Sequence, residues 1–144
     1  MTADRMALQA AVPSWDAGVR ASSALLVRDG FVTPAYVAEI FAGFAANGSA
    51  MVVAPHVVLA HARPEHGAVR TGLSLVTAVE PVPLAGDAAI PLSVFFTFAA
   101  VDAVEHLALL QRLARVLVDE TALAVLRTSA DTDRVLGMLT GEPA

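Results

Sequence analysis

The run "LSVFFTFA", beginning at Leu92, is largely apolar at both of the alternating sets of positions that a strand presents to its two faces. A strand with one wet face would alternate apolar and polar residues. A strand apolar on both sides needs a covering layer above and below its sheet. Three other runs share this character: "AMVVA" at 50–54, "VVLA" at 57–60 and "LSLVTAV" at 73–79, all short, Val-rich and bounded by Pro, Gly or Asp. The central third of the chain therefore reads as strands of a sheet buried on both faces.

The flanking segments change to a helical period. Ser14 is placed to cap a helix carrying Trp15, Val19, Leu25 and Leu26 that stops near Gly30. In "TPAYVAEIFAGFAANG", Thr33 can cap and Pro34 suits the first helical position. Val37, Ile40, Phe41 and Phe44 then recur at helical spacing before Gly48. Asp102 opens "DAVEHLALLQRLARVLVD", with Glu105 three residues on in the manner of a capping box. Leu109, Leu110, Leu113 and Leu117 form the apolar stripe of that helix, and Arg112 and Arg115 lie off it. Short helices are expected around 122–126 and 134–139. The order helix, helix, strands, helix, helices predicts an α/β sandwich with helices on both faces of the sheet. With 144 residues and no repeat, linker or low-complexity tract, the expectation is a single domain over 1–144.

Composition removes several function classes. The mean hydropathy of +0.64 invites a membrane assignment. The longest apolar stretch, "IPLSVFFTFAAV", spans only 12 residues and contains Pro91 and Ser93, whereas a spanning helix needs ~20. The opening "MTADRMALQAAVP" carries an acid and has no long apolar run, so no secretory signal is expected. The absence of cysteine excludes disulfides, thiol catalysis and thiolate metal sites. Nine scattered basic residues and a net charge of −5 give no electrostatic footprint for nucleic acid. A cytoplasmic location is the expectation.

Three of the four histidines fall in "HVVLAHARPEHG", at an even spacing of five. In extended chain that spacing sends His56 and His61 to opposite faces. On a helix their directions would diverge by roughly 140°, and Pro55 and Pro64 disfavour a helix there. A zinc site from this segment alone would need a looped backbone to converge its ligands at about 2 Å. His66 lies in the turn-like, charged "RPEHG", where an exposed ring is unremarkable. His61 has different company. It ends an apolar strand and opens a polar, Pro-containing loop, and strand ends are where α/β folds place reactive groups. His106 shares a face with Leu109, Leu110 and Leu113. It also sits in the first turns of its helix, near unpaired backbone amides and the positive end of the dipole. A neutral imidazole there can donate to a phosphate or oxyanion; simple packing is the alternative for the same residue.

With these residues in view, "APHVVLAHARPEHGAVRTGLSLV" resembles the signature region of the IIA domains of the bacterial phosphotransferase system. The likeness is to the mannitol/fructose superfamily, and within it to the ascorbate-type branch. Its specific match is Ala60-His61-Ala62-Arg63-Pro64-Glu65-His66-Gly67, followed by Thr71-Gly72. "EPVPL" and "FAAVDAVEHLALLQRLARVLVD" continue it downstream. "SWDAGVRASSALLVRDGFVTPAYVAEI", with Trp15, Gly30 and Tyr36, continues it upstream. The proline usual before the reactive histidine is Ala60 here, and a literal Pro-His pair stands at Pro55-His56. The flanking Arg63-Pro64-Glu65 and Gly67 align only with His61.

The resemblance implies a mixed sheet of about five strands sandwiched by helices. It also implies a phosphoryl relay: His61 accepts phosphate from an HPr-type phosphocarrier and hands it to a IIB subunit, with His106 steadying the phosphoryl group. Arg63, Glu65 and Asp102 are the expected phosphoryl-site or partner contacts. The mannitol branch places an upstream arginine near the phosphate, and here Arg63 or Arg70 is the nearest basic substitute. No metal or cofactor is implied, since the phosphate is a covalent intermediate on histidine. Through IIB the chain would serve a membrane IIC permease for a sugar or ascorbate-like substrate, and a homodimer is compatible with that role. Two alternatives stand beside it: a regulatory phosphoprotein of the same fold, and a metal-binding protein using the histidines.

Overall fold

The computed structural model describes residues 2–85 and 87–140. Its elements are β1 (Met6–Ala10), α1 (Trp15–Arg28), α2 (Pro34–Asn47), β2 (Val52–Ala54), β3 (Val57–Ala60), β4 (Gly72–Leu84), β5 (Asp87–Ala99), α3 (Ala103–Leu117), α4 (Glu120–Thr128) and α5 (Thr132–Thr140). The strands form one five-stranded sheet in the order β1-β4-β5-β3-β2. β1 runs parallel to β4 and β3 parallel to β5, while β4–β5 and β2–β3 are antiparallel. The sheet is therefore mixed.

Its two faces are covered as the doubly apolar strands require. Phe95 and Ala99 face Val19, Leu26, Ile40 and Phe44 of α1 and α2. Val94, Phe96 and Phe98 face Leu113, Val116, Leu126, Val135 and Leu139 of α3, α4 and α5. Each phenylalanine on β5 is essentially sealed from water, and full burial of such a side chain is worth about 1.5–3 kcal/mol. Of the two buried hydroxyls on β5, that of Thr97 lies 2.6 Å from that of Ser22 and 3.3 Å from that of Ser23, both on α1, whereas Ser93 Oγ has no partner among the described residues. Helix α1 sits close because Gly18 faces the Phe95 ring; a methyl group there would lie 2.7 Å from the ring atoms.

The anticipated caps form. Ser14 Oγ accepts from the Ala17 amide, Thr33 Oγ1 from the Tyr36 amide at 3.3 Å, and Asp102 Oδ1 from the Glu105 amide at 2.8 Å. At the end of α1, the amide of Phe31 reaches Leu26 O and that of Gly30 reaches Val27 O. Gly30 supplies the left-handed φ of 75° that this Schellman closure needs.

Three features depart from the sequence reading. β1 was not anticipated, because "MALQA" is short and lacks β-branched residues; it is a strand through its parallel register with β4, Met6 opposite Leu75. "AMVVA" is a strand only over Val52–Ala54, the preceding Gly48–Met51 forming a 3-10 turn. β4 and β5 run on through Pro81, Pro83 and Pro91. There neither strand has a second neighbour: β1 pairs with β4 only as far as Ala78, and β3 meets β5 only from Val94. A proline that lacks an amide proton costs little on such an unshared edge.

Candidate functional site

β3 is buried along its whole length and stops at Ala60. His61 is the first residue past it. Since β3 and β5 are parallel, with Ala60 opposite Thr97, their carboxyl ends emerge together. The start of β4 lies beside them, Gly72 opposite Ala99, and the chain passes from β5 into α3 at the same end. One end of the sheet thus gathers His61, Phe98, Thr71 and His106.

The His61 ring is half-buried, and its Nδ1 lies 2.9 Å from the carbonyl oxygen of Leu59. A carbonyl can only accept, so Nδ1 is the donor, and in the neutral ring the lone pair lies on Nε2. Phe98 supports the ring, with centroids 5.4 Å apart. The same benzyl group carries the His106 ring, with centroids 5.0 Å apart. Both imidazoles therefore rest on one buried aromatic side chain, and the two histidines singled out from the sequence are brought together. Their site combines a ring nitrogen that is free of the Leu59 contact, a second ring and the amino end of a helix.

His106 belongs to the first turn of α3. Its own amide is bonded to Asp102 O at 3.0 Å and the Glu105 amide is taken by the Asp102 carboxylate. Ala103 and Val104 supply the remaining amides of the turn. The Glu105 carboxylate does not return to Asp102, as a full capping box would have it. It accepts from the Thr71 hydroxyl, which itself accepts from the Val101 amide at 3.2 Å. Thr71 so ties the start of β4 to the first turn of α3.

The other expected contacts are placed differently. Asp102 is occupied as the helix cap. Arg63 and Glu65 are exposed on the 3-10 turn Pro64–His66, and among the described residues neither side chain has a hydrogen bond or ion pair within the protein. The turn is closed by Gly67 at φ 128°, packed so closely on α2 that a Cβ would fall 2.1 Å from Thr33 Oγ1. Arg70 is exposed with its guanidinium 4.4 Å over the Phe31 ring. Around His106 the surface is apolar: Val104 and Leu107, on either side of it in α3, are 79% and 56% exposed.

His56 and His66 are not part of this arrangement. His66 is exposed on the 3-10 turn. His56 occupies the β2–β3 turn at the opposite end of β3, at φ 69°, and its carbonyl accepts from the amides of Ser93 and Val94. Its Nδ1 is buried without a partner among the described residues. Burial, with the charge of Arg127 adding to it, holds the His56 imidazole below the usual histidine range.

Sequence reasoning missed Tyr36, Thr71 and Phe98 as parts of the site. Tyr36, fully buried on α2, places its hydroxyl 2.9 Å from Phe98 O, 3.1 Å from Ala62 O and 3.0 Å from the Ala62 amide. The available signal was that a phenol inside an apolar helical stripe must find polar partners.

Known proteins of similar sequence and shape share this arrangement of elements. The ascorbate-specific PTS system EIIA component of Escherichia coli (strain K12) is 33% identical over 133 residues, 92% of this chain and 86% of that protein. The solution structure of the mannitol-specific cryptic phosphotransferase enzyme IIA of Escherichia coli superposes with a TM-score of 0.85 at 25% identity, over 98% of this chain and 95% of that one. Enzyme IIA for mannitol of Escherichia coli, in its complex with phosphorylated enzyme IIB, superposes with a TM-score of 0.86 over 99% of this chain and 98% of that one, at 20% identity. The sequence model of the phosphoenolpyruvate-dependent sugar phosphotransferase system, EIIA 2, matches residues 1–141. With its mixed sheet of five strands between two helical layers and a match over nearly its whole length, this chain belongs to the EIIA 2 family of the phosphoenolpyruvate-dependent sugar phosphotransferase system.

Proposed function

We propose that His61 Nε2 is the atom that carries phosphorus in this phosphotransferase component. The observation that carries the reading is the 2.9 Å contact from Nδ1 to the Leu59 carbonyl. It fixes the tautomer in which Nε2 is the nucleophile. As Nε2 gives its lone pair to phosphorus, positive charge grows on the ring and on the Nδ1 proton, where the Leu59 carbonyl is already aimed. The P–N bond of an HPr-type phosphohistidine breaks as the bond to Nε2 forms, and the donor's electron pair returns to its own ring. The hand-over to a IIB subunit repeats the exchange in the other direction. Such transfers need in-line positioning and donors for the equatorial oxygens rather than further covalent help. His106, with the Ala103 and Val104 amides, supplies donors at the amino end of α3.

Both exchanges require a partner to dock over His61. The exposed Val104 and Leu107 beside His106 suit a small, transient interface. Exposed Arg63 and Glu65 are rim groups for the same encounter. The named specificity of the Escherichia coli relative supports a phosphoryl group that passes through IIB to a membrane IIC permease for an ascorbate-like substrate. Among the described residues no helix is long and apolar enough to cross a membrane, in keeping with a cytoplasmic partner of such a permease.

Incubation with radiolabelled phosphoenolpyruvate, enzyme I and HPr tests the assignment. Acid-labile, alkali-stable label is expected on the protein, lost in His61→Ala and retained in His56→Ala. Label that survives His61→Ala at the normal stoichiometry would remove His61 from the role.

A further inference from the structure

The Tyr36 hydroxyl is hydrogen-bonded at both strand ends of the site. It has a single proton to give and lies nearest to Phe98 O, at 2.9 Å; its oxygen receives the Ala62 amide at 3.0 Å. Ala62 follows His61 directly. Phe98 is the residue whose ring supports both imidazoles. Carbonyl 98 and amide 62 lie just past the last β3–β5 pair, Ala60 opposite Thr97. The phenol thus bridges the two chains where the ladder between them ends. Tyr36 is itself anchored, since Thr33 caps its amide and the Thr33 amide holds Gly67 O, at the far side of the 61–67 loop. Burial pushes the phenol above its usual pKa range, against the opposing hydrogen bond to Ala62, so it stays a donor across the working pH.

We infer that Tyr36 is a positioning residue for the phosphoryl relay, a buried clamp that sets the placement of His61 relative to Phe98 and His106. It touches no reacting atom. Without the hydroxyl, the part-buried Ala62 amide and the buried Phe98 carbonyl each lose a hydrogen bond, and the chain around His61 has reason to shift toward water. The Nδ1 contact to Leu59 O would then be populated only in part. An in-line transfer is sensitive to such a displacement, because small errors in approach cost large factors in rate. This inference rests on His61 being the phosphoryl carrier.

The test compares wild type, Tyr36→Phe and Ser22→Ala, the last removing an equally buried hydroxyl on α1 that is bonded to Val19 O and Thr97 Oγ1 rather than to Phe98 or the 61–67 loop. Transfer from phospho-HPr is followed by rapid quench, and the ring nitrogens of His61 by 15N NMR. Tyr36→Phe is expected to lower kcat about tenfold with KM for phospho-HPr unchanged, and to blur the Nδ1-protonated signature of His61. Ser22→Ala is expected to melt earlier while keeping both readouts. Wild-type kcat and wild-type His61 signals in Tyr36→Phe would overturn the clamp, as would an equal loss in Ser22→Ala. Should Tyr36→Phe fail to fold, biosynthetic 3-fluorotyrosine replaces it. This is the only tyrosine in the chain, and the more acidic phenol keeps its shape. It should move the His61 signals and kcat together; unchanged values overturn the clamp. A wild-type protein labelled elsewhere than His61 refutes the site assignment, whereas label on His61 with normal rate and signals in the variant refutes the clamp alone.

Discussion

His56 and His61 stand at the two ends of the same four-residue strand, about 16 Å of extended chain apart. Both are half-buried imidazoles in Pro-containing surroundings, yet the fold treats them in opposite ways. At the carboxyl end of β3, the ring nitrogen of His61 finds the Leu59 carbonyl and the ring rests on Phe98, which a second imidazole also contacts. At the amino end, the buried nitrogen of His56 finds no partner among the described residues, and the residue sits in the left-handed region to turn the chain. The difference lies in what the sheet brings to each end. Parallel β5 delivers Phe98 and the start of α3 to His61. At His56 the same strand offers only the amides of Ser93 and Val94, both consumed by the backbone. A Pro-His pair in sequence therefore says less about reactivity than the identity of the strand end.

The largest effect expected from breaking this contrast is at His106. Removing a donor aimed at a charged, transferring group in a dry site typically costs 10²–10³-fold in rate. His106→Ala should therefore slow transfer to His61 by about a hundredfold, while His61 can still be labelled slowly to completion. His56→Ala should leave the rate within experimental scatter. A His106→Ala protein that transfers at the normal rate would mean that the ring only packs against Phe98, and the two ends of β3 would differ by one histidine rather than two.

A smaller effect is expected at Asp102. Its carboxylate accepts from the Glu105 amide at 2.8 Å and so fixes the turn that carries His106. Loss of such a cap costs about 1 kcal/mol. Asp102→Ala should lower the urea midpoint accordingly, and Asp102→Asn should restore most of it. If Asp102→Asn restores stability but not transfer, the carboxylate charge acts in the relay as well as in the cap. Recovery of both by Asp102→Asn confines it to the cap.

What could be read without a structure follows the range of the interactions involved. Ser14, Thr33 and Asp102 cap amides three residues away, and all three were legible from local pattern. The doubly apolar strands told of two covering layers before any helix was placed. His61 and His106 came to notice as a strand end and a helix start, but their partnership was legible only through family resemblance, since it depends on Phe98 standing between them. β1 escaped notice because its strand character comes from pairing with β4 far along the chain. The same holds for Tyr36, whose partners lie 26 and 62 residues away, and for Thr71, which meets Glu105 across 34. Arg63 and Glu65 were drawn toward the site by motif, yet they face solvent, where only a docked partner would engage them.

The smallest effect belongs to the far end of β3. His56 is held below the usual histidine range, first by burial and then by Arg127. As the pH falls through the ordinary value of ~6.5, the unfolded chain takes up a proton at this residue before the folded one does. The unfolded state then binds more protons, so stability drops on acidification and is fully present only above that value. His56→Asn cannot titrate, and asparagine tolerates the positive φ better than most residues. Urea unfolding at pH 8 and pH 5.5 should therefore show a smaller acid-side loss for His56→Asn than for the wild type, whatever offset the substitution adds at both values. Labelling of His61 by phospho-HPr should be the same in the two proteins at pH 8. An identical acid-side loss in both would place the titrating group elsewhere, and with it the physical distinction between the two ends of the strand would rest on the His61 site alone.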